Sequence, residues 1–521
     1  MKPMSPGGTL AATMESPRQS PITSDFSSTA HTDVDEYPGV PKTTSPTGIH
    51  FRPTRSEYDI EATVPPENKH RTLVLCFDGT GDQFDDDNSN VVNLFTMLKK
   101  DEPSRQLVYY QAGIGTYTIP QVARPLVAKL HRTIDAMLGN HLNAHVMGGY
   151  EFLMQNCKYY EHGDKICLFG FSRGAYTARA LAGMIHKVGL LPRCNHQQVP
   201  FAYKMYSRED EEGWRQSTAF KRAFSIDVDI ELLGVWDTVS SVGFIPKRLP
   251  FTRSNTNVRY FRHAIALDEH RARFQPNFWN RPTAEQLQLG VKAGEMPKSH
   301  RRTPSKHKSQ HELEREYTEG GDCQTQIEEV WFAGCHCDVG GGSVSNNTPY
   351  SLARIPLRWM IRQCFLLDTG ILFHAEMLRL VGMDHTTLYP RVLPRPPPLL
   401  QSPRASTSSA EKTTRSLVPA ECEFRSEEEE DLFDAVTGTY DQLQKAKWWW
   451  LLEILPQQLQ FQDKADLWVK KLEVHMGRGR HIPRQSTHGV KIHRTVKMRM
   501  EMLGYKPLAH LKPTTEPIWV D

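Results

Sequence analysis

The chain lacks any apolar run close to the roughly 20 residues that a helix needs to cross a bilayer. The longest greasy stretch, Trp448 to Leu455, is interrupted by Glu453. The start, Met1 to Leu10, lacks the basic-then-apolar pattern of a secretory signal. The nine cysteines are odd in number, scattered, and include no C-x-x-C pair, which argues against a disulfide framework. The cytoplasm is therefore the expected compartment. An excess of one charge is missing too. The formal net charge is +3, so composition gives no reason to expect a nucleic-acid partner. Apolar residues are scarce, at 39% of 521, which implies that parts of the chain stay unfolded.

Those parts are visible. Residues 1–69 are rich in Pro, Ser, Thr and Gly without apolar periodicity, and read as a disordered tail. Two polar stretches, about 285–325 and 394–430, read as an insertion and a linker, the second ending in the acidic run Glu427–Glu430. Residues 431–521 are expected as a helical segment packed on a domain spanning 70–393. Within that domain, RTLVLCF (71–77), QLVYYQ (106–111), KICLFG (165–170), DIELLGVW (229–236) and EEVWFAG (328–334) read as buried strands, with VRYFRHAIA (258–266) a weaker sixth. Helical patterns at 141–158, 174–187 and 353–366 lie between or after them. Alternating strands and helices predict an α/β fold, with a mostly parallel sheet covered by helices on both faces. Chemistry in such sheets sits at the carboxyl ends of the strands.

One strand end carries G-x-S-x-G. KICLFG runs into Gly170-Phe171-Ser172-Arg173-Gly174 and then a helix-forming stretch. A serine nucleophile must stand on a sharp, strained strand-to-helix turn, where side chains two before and two after it would collide. A Gly-rich turn that only packs tightly would have the same string, but the strand before and helix after favour catalysis. Serine needs a base and an orienting acid, which in α/β-hydrolases follow in the order Ser, Asp or Glu, His. Asp237 directly follows one later strand and His336 another, so Ser172, Asp237 and His336 are the expected triad. Asp268 is the competing acid, and His270 a candidate for substrate contact.

The loop Phe77-Asp78-Gly79-Thr80-Gly81-Asp82 follows the first strand. Backbone N–H groups of Gly79 or Thr80, together with that of Arg173, are the expected oxyanion hole. A phosphatase-type Asp-x-Asp-x-Thr reading fails because Cys76 stands where its nucleophile would be. Ala112-Gly113-Ile114-Gly115-Thr116 has two glycines of a dinucleotide fingerprint's three and reads as an ordinary loop. Asp78 and Asp338 are expected beside the substrate or behind the triad. Cys335-His336-Cys337-Asp338 crowds its ligands too closely for a tetrahedral ion, so neither metal nor cofactor is expected.

Together LCFDGTGDQ, GFSRGAYTARALAGMI, GVWDTVSSVG, HAIALDEHRARFQP and EVWFAGCHCDVGGG resemble, in order, the blocks of the type VI secretion phospholipase-effector-like catalytic domain. The match covers about 70–385. The segments GRGRHIP and GYKP resemble the end of fungal members. The resemblance implies an α/β-hydrolase fold, a Ser-Asp-His triad at Ser172, Asp237 and His336, and a phospholipid or other ester substrate. Cys335 and Cys337 depart from the small or polar residues expected beside the histidine, and the role of antibacterial toxin does not carry over. A catalytically silent scaffold and a non-lipid esterase are the rival readings. Lys445–Leu452, with two lysines and three tryptophans, suits peripheral membrane contact. The favoured reading there is an aromatic wedge on the catalytic domain near Trp468, because three adjacent helical residues cannot all face one way.

Overall fold

A computed structural model describes residues 63–114, 142–159, 163–239, 248–280, 310–318, 325–399, 425–462 and 468–521. Most of the N-terminal tail, most of the 285–325 insertion, residues 400–424, and Gly115 and Thr116 lie outside them.

Eight parallel strands form the central sheet. They are β1 (Thr72–Phe77), β2 (Gln106–Gln111), β3 (Lys165–Phe171), β4 (Ile230–Trp236), β5 (Val258–Ala266), β6 (Gln326–Phe332), β7 (Val490–His493) and β8 (Pro517–Val520). Their order across the sheet is β2-β1-β3-β4-β5-β6-β7-β8. All six strands expected from the sequence are present.

The inner strands β1, β3 and β4 are apolar on both faces because both faces are covered. Leu73, Leu75 and Phe77 of β1, with Ile166 and Leu168 of β3, pack against α2 (Leu142–Asn156) and α3 (Ser172–Val188). The alternate residues Val74, Cys76, Cys167, Phe169 and Phe171 pack on the other face, against α1 (Asn90–Met97) and α5 (Arg354–Leu366). This period-two alternation, apolar in both phases, is the mark of an interior parallel strand. Strand order reverses between β1 and β3, the switch point beyond whose carboxyl ends sheets of this kind bind ligands.

The C-terminal part corrects the expectation of an all-helical segment. It supplies α6 (Glu427–Ala435) and α7 (Arg494–Leu503), but also β7 and β8 in the central sheet. An antiparallel hairpin pairs Pro456–Gln462 with Trp468–Val474. The acidic run Glu427–Glu430 is not linker. It is the first turn of α6, capped by Ser426 and Glu429 in a capping box. Arg362 pairs with Glu427, Arg395 with Glu427, Glu428 and Asp431, and Arg358 with Asp431 and Asp434. The tail reading also ends early, since Thr63–Val64 pairs with Phe373–His374. Among the described residues no helix is long and apolar enough to cross a membrane.

Candidate active site

Ser172 stands where β3 becomes α3, with φ at +56°, a left-handed conformation that is strained for a residue with a Cβ. The flanking glycines make that turn sterically feasible. A Cβ at Gly170 would lie 2.6 Å from the Gly174 carbonyl oxygen, and one at Gly174 would lie 2.2 Å from that of Asp78. The side chain is thereby lifted off the sheet at the amino end of α3. Ser172 Oγ is 2.8 Å from His336 Nε2.

His336 opens the short helix α4 (His336–Gly340), with three residues between it and the end of β6. Its ring lies between Phe171, at 4.6 Å, and Phe274, which meets it edge-on at 4.8 Å. Its Nδ1 is 2.6 Å from Asp237 Oδ2. An ionised carboxylate can only accept, so Nδ1 carries the proton and Nε2 is left to accept from the Ser172 hydroxyl. Burial pushes the imidazole below its ordinary pKa. Asp237 opposes that shift and the Arg271 charge adds to it. The ring is neutral at neutral pH, as a base must be.

Asp237 follows β4, is fully buried, and also has positive φ, +35°. Burial alone would raise its pKa. The Arg480 charge and the hydrogen bonds from His336 and Arg480 outweigh it and hold the group well below the usual carboxylate range. Arg480 Nη1 donates to Oδ1 at 2.6 Å and Nη2 to Oδ2 at 2.9 Å, while the Ala266 amide donates to Oδ1 at 3.0 Å. Arg480 was not among the residues singled out from the sequence. It lies 243 residues from Asp237, and nothing local in GRGRHIP marks it.

The other expected site residues divide. Asp78 organises the loop after β1: its carboxylate accepts from Ser89 Oγ, Tyr110 Oη and the Gly79 amide at 2.6, 2.7 and 2.8 Å. Burial raises its pKa, and these three bonds oppose the rise. The Gly79 amide is thus committed to Asp78, which corrects its assignment as an oxyanion donor and leaves Thr80 and Arg173. Thr80 Oγ1 and Arg173 Nη1 are buried without a hydrogen-bond partner. The loop containing Gly113 supports this one, with Gly113 N donating to Asp82 O and Gly81 N to Ile114 O.

Asp268 and His270 do not reach the triad; they hold the C-terminal segment. Asp268 accepts from the Gly334 amide, Tyr505 Oη and the Leu508 amide at 2.8, 2.6 and 3.0 Å. His270 Nε2 meets Asp441 and its Nδ1 meets the Gly477 carbonyl, each at 3.0 Å. Asp338 accepts from the Cys335 and Tyr440 amides, and its pKa is pushed up to about 6, mainly by burial. These residues look like chemistry in sequence because they are polar and sit after strands. The two carboxylates are spent on backbone amides and the Tyr505 hydroxyl, and the His270 ring on Asp441 and a backbone carbonyl. Glu269, overlooked in the sequence, accepts from the His336 amide at 3.3 Å and pairs with Arg271 at 2.8 Å.

The aromatic wedge expected over Trp448–Trp450 does not form. Trp448 and Trp450 are 44% and 41% exposed. Trp449 alone packs inward, against Phe274 and under the Arg271 guanidinium. The chain there is a 3-10 turn running into one short helical turn, and Trp448 stacks on Trp449 with ring centroids 4.3 Å apart. The Trp468 side chain lies outside the described residues.

An uncharacterized protein of Saccharomyces cerevisiae, YEL023C, is 27% identical over 84% of this chain and 80% of its own. An uncharacterized protein from Pseudomonas aeruginosa of known structure matches at 17% identity and TM-score 0.31, over 60% of this chain and 47% of that one. The Tle1 effector bound to the VgrG spike of the type 6 secretion system matches at 17% identity and TM-score 0.24, over 52% and 51%. The chain thus spans about half the length of these two structures. Residues 71–363 match the family described as T6SS phospholipase effector Tle1-like, catalytic domain, and the chain belongs to that family.

Proposed function

We propose that this protein is a serine hydrolase that cleaves a carboxylic ester of a phospholipid or related lipid. The observation that carries the reading is the continuous relay from Ser172 Oγ through His336 to Asp237, at 2.8 and 2.6 Å, with the serine on a strained turn between two glycines. His336 Nε2 takes the Ser172 proton as Oγ attacks the ester carbonyl. The backbone N–H groups of Arg173 and Thr80 stabilise the tetrahedral oxyanion. The imidazolium returns the proton to the departing alkoxide, leaving an acyl-serine. Water, deprotonated by the same imidazole, then releases the fatty acid and restores the serine. Asp237 keeps the imidazole in the required tautomer throughout and stays ionised.

The lipid substrate class rests on the phospholipase activity in the family's name. It draws support from the exposed apolar side chains of Trp448, Trp450, Leu451 and Ile454 beside Trp449, one ring away from His336. Tryptophan and flanking lysine suit the headgroup region of a bilayer. A silent scaffold would have no need of strain at Ser172 or of a buried, ionised Asp237. The test is a panel of phospholipids and soluble esters, with wild type beside Ser172→Ala. Release of fatty acid from a phospholipid by wild type and its loss in the alanine variant support the proposal. Turnover of soluble esters alone moves the reading to a non-lipid esterase, and equal rates for both proteins refute it.

A further inference from the structure

The triad's acid is held by a residue from outside the matched domain. Residues 71–363 contain Ser172, Asp237 and His336, yet two of the four hydrogen bonds on the Asp237 carboxylate come from Arg480. The two bonds form a fork, one nitrogen on each oxygen, which fixes the plane of the carboxylate and aims Oδ2 at His336. Without the fork, the Ala266 amide alone would hold Oδ1. The fork is itself anchored, since Nη1 also donates to the Ala266 carbonyl at 3.0 Å and Nη2 to that of Phe274 at 2.6 Å. Arg480 is 1% exposed and Asp237 wholly buried, so the pair excludes water from both charges.

The segment bearing Arg480 is tied to the loop after β5, residue by residue. Asp268 receives Tyr505 and Leu508, His270 meets Asp441 and Gly477, and Glu453 accepts from the Ala272 amide. Phe274 both accepts from Arg480 and edges the His336 ring. The stretch DEHRARF is thus the dock that delivers Arg480 to the triad.

We propose that Arg480 is a positioning residue of the catalytic triad, fixing the orientation and charge of Asp237, and that the active site is complete only with the C-terminal segment docked. This rests on the serine-hydrolase reading above. The negative charges acting on His336 are Asp237 and Glu269, each paired with an arginine, Arg480 and Arg271 respectively. Removing the Arg480 charge leaves the His336–Asp237 pair with one unbalanced negative charge in a buried site. Whichever of the two then takes a proton, the pair takes it at higher pH, and base function is lost over a wider acid range.

The experiment compares wild type, Arg480→Lys and Arg480→Met in the full chain. Two readouts are used: kcat and KM against pH on a soluble ester, and NMR titration of the proton in the His336–Asp237 hydrogen bond. Folding is scored first by melting. Arg480→Met should lose about 10- to 100-fold in kcat, the usual cost of losing a group that orients a functional side chain from behind. KM should stay near wild type, and the acid limb and the NMR midpoint should both move to higher pH. Arg480→Lys keeps the charge without the fork, so the limb should return towards wild type with kcat still reduced. Should the methionine variant not fold, the lysine variant carries the test through its reduced kcat. A folded Arg480→Met, or in its absence a folded Arg480→Lys, with wild-type kcat and an unmoved midpoint overturns the proposal. Absence of ester turnover in wild type would sink the hydrolase reading instead, and the NMR midpoint would still report whether Arg480 sets the charge of the pair.

Discussion

Ser172, Asp237 and His336 are separated by 65 and 99 residues in the chain and meet within hydrogen-bond distance because each follows a strand of one parallel sheet. The pH dependence follows from the charge state. The lowered pKa of His336 means that its neutral, proton-accepting form persists below the ordinary imidazole range. kcat/KM should therefore rise with pH through a midpoint below about 6.5 and be flat at neutral pH. A midpoint well above that value would show that the buried histidine is not the base. Asp237→Asn presents an amide to Nδ1, favours the wrong tautomer, and should cost up to ~10⁴ in rate. Asp268→Asn should cost much less in kcat than Asp237→Asn, acting only through looser docking of the C-terminal segment, and should lower stability by about 1–3 kcal/mol, because a buried acceptor of backbone amides becomes in part a donor. The meeting of Ser172, His336 and Asp237 was legible in the sequence because each directly or closely follows a strand of the parallel sheet. Asp268 and His270 competed with it because docking residues and catalytic residues share a chemistry. Arg480 was not legible, since a contact across 243 residues leaves no local pattern.

Among the elements, the six strands of the family domain could be read directly, because strands buried on both faces are continuous apolar runs. The two C-terminal strands could not. Val490–His493 and Pro517–Val520 have four residues each, too few for a period to emerge. The start of α6 was legible and was passed over: Ser426 and Glu429 spell a capping box, but the four glutamates at 427–430 suggested a solvated linker. The buried Arg358, Arg362 and Arg395 that pair with this helix explain why so acidic a turn is stable. The segment Lys447–Glu453 exposes Trp448 and Trp450 and packs Trp449 on Phe274. Trp448→Ala with Trp450→Ala should leave soluble-ester turnover unchanged while reducing binding to anionic liposomes, because both side chains are exposed, and should lower melting less than Trp449→Ala, since the Trp448 ring still stacks on Trp449. Trp449→Ala should lower the melting temperature, since that ring packs on Phe274 and Arg271. Unaltered liposome binding in the double variant would reject the interfacial role.

At the scale of the whole molecule, the matched family domain is not a free-standing unit. Its sheet continues into β7 and β8, its loop after β5 receives the C-terminal segment, and its Asp237 is hydrogen-bonded by Arg480. A chain ending at residue 436 should lose activity even though Ser172, Asp237 and His336 remain, and it should melt at lower temperature through loss of the edge strands. Deleting residues 1–60 should leave soluble-ester turnover intact, because that stretch has no apolar periodicity with which to join a core. The central claim, that Ser172 is an activated nucleophile, is tested most directly by treating the native full chain with a fluorophosphonate and locating the adduct by peptide mass spectrometry. The account predicts a single adduct on Ser172, formed fastest where His336 is neutral and absent from the Ser172→Ala protein. A folded wild-type chain that takes no label, or takes it on another residue, contradicts it.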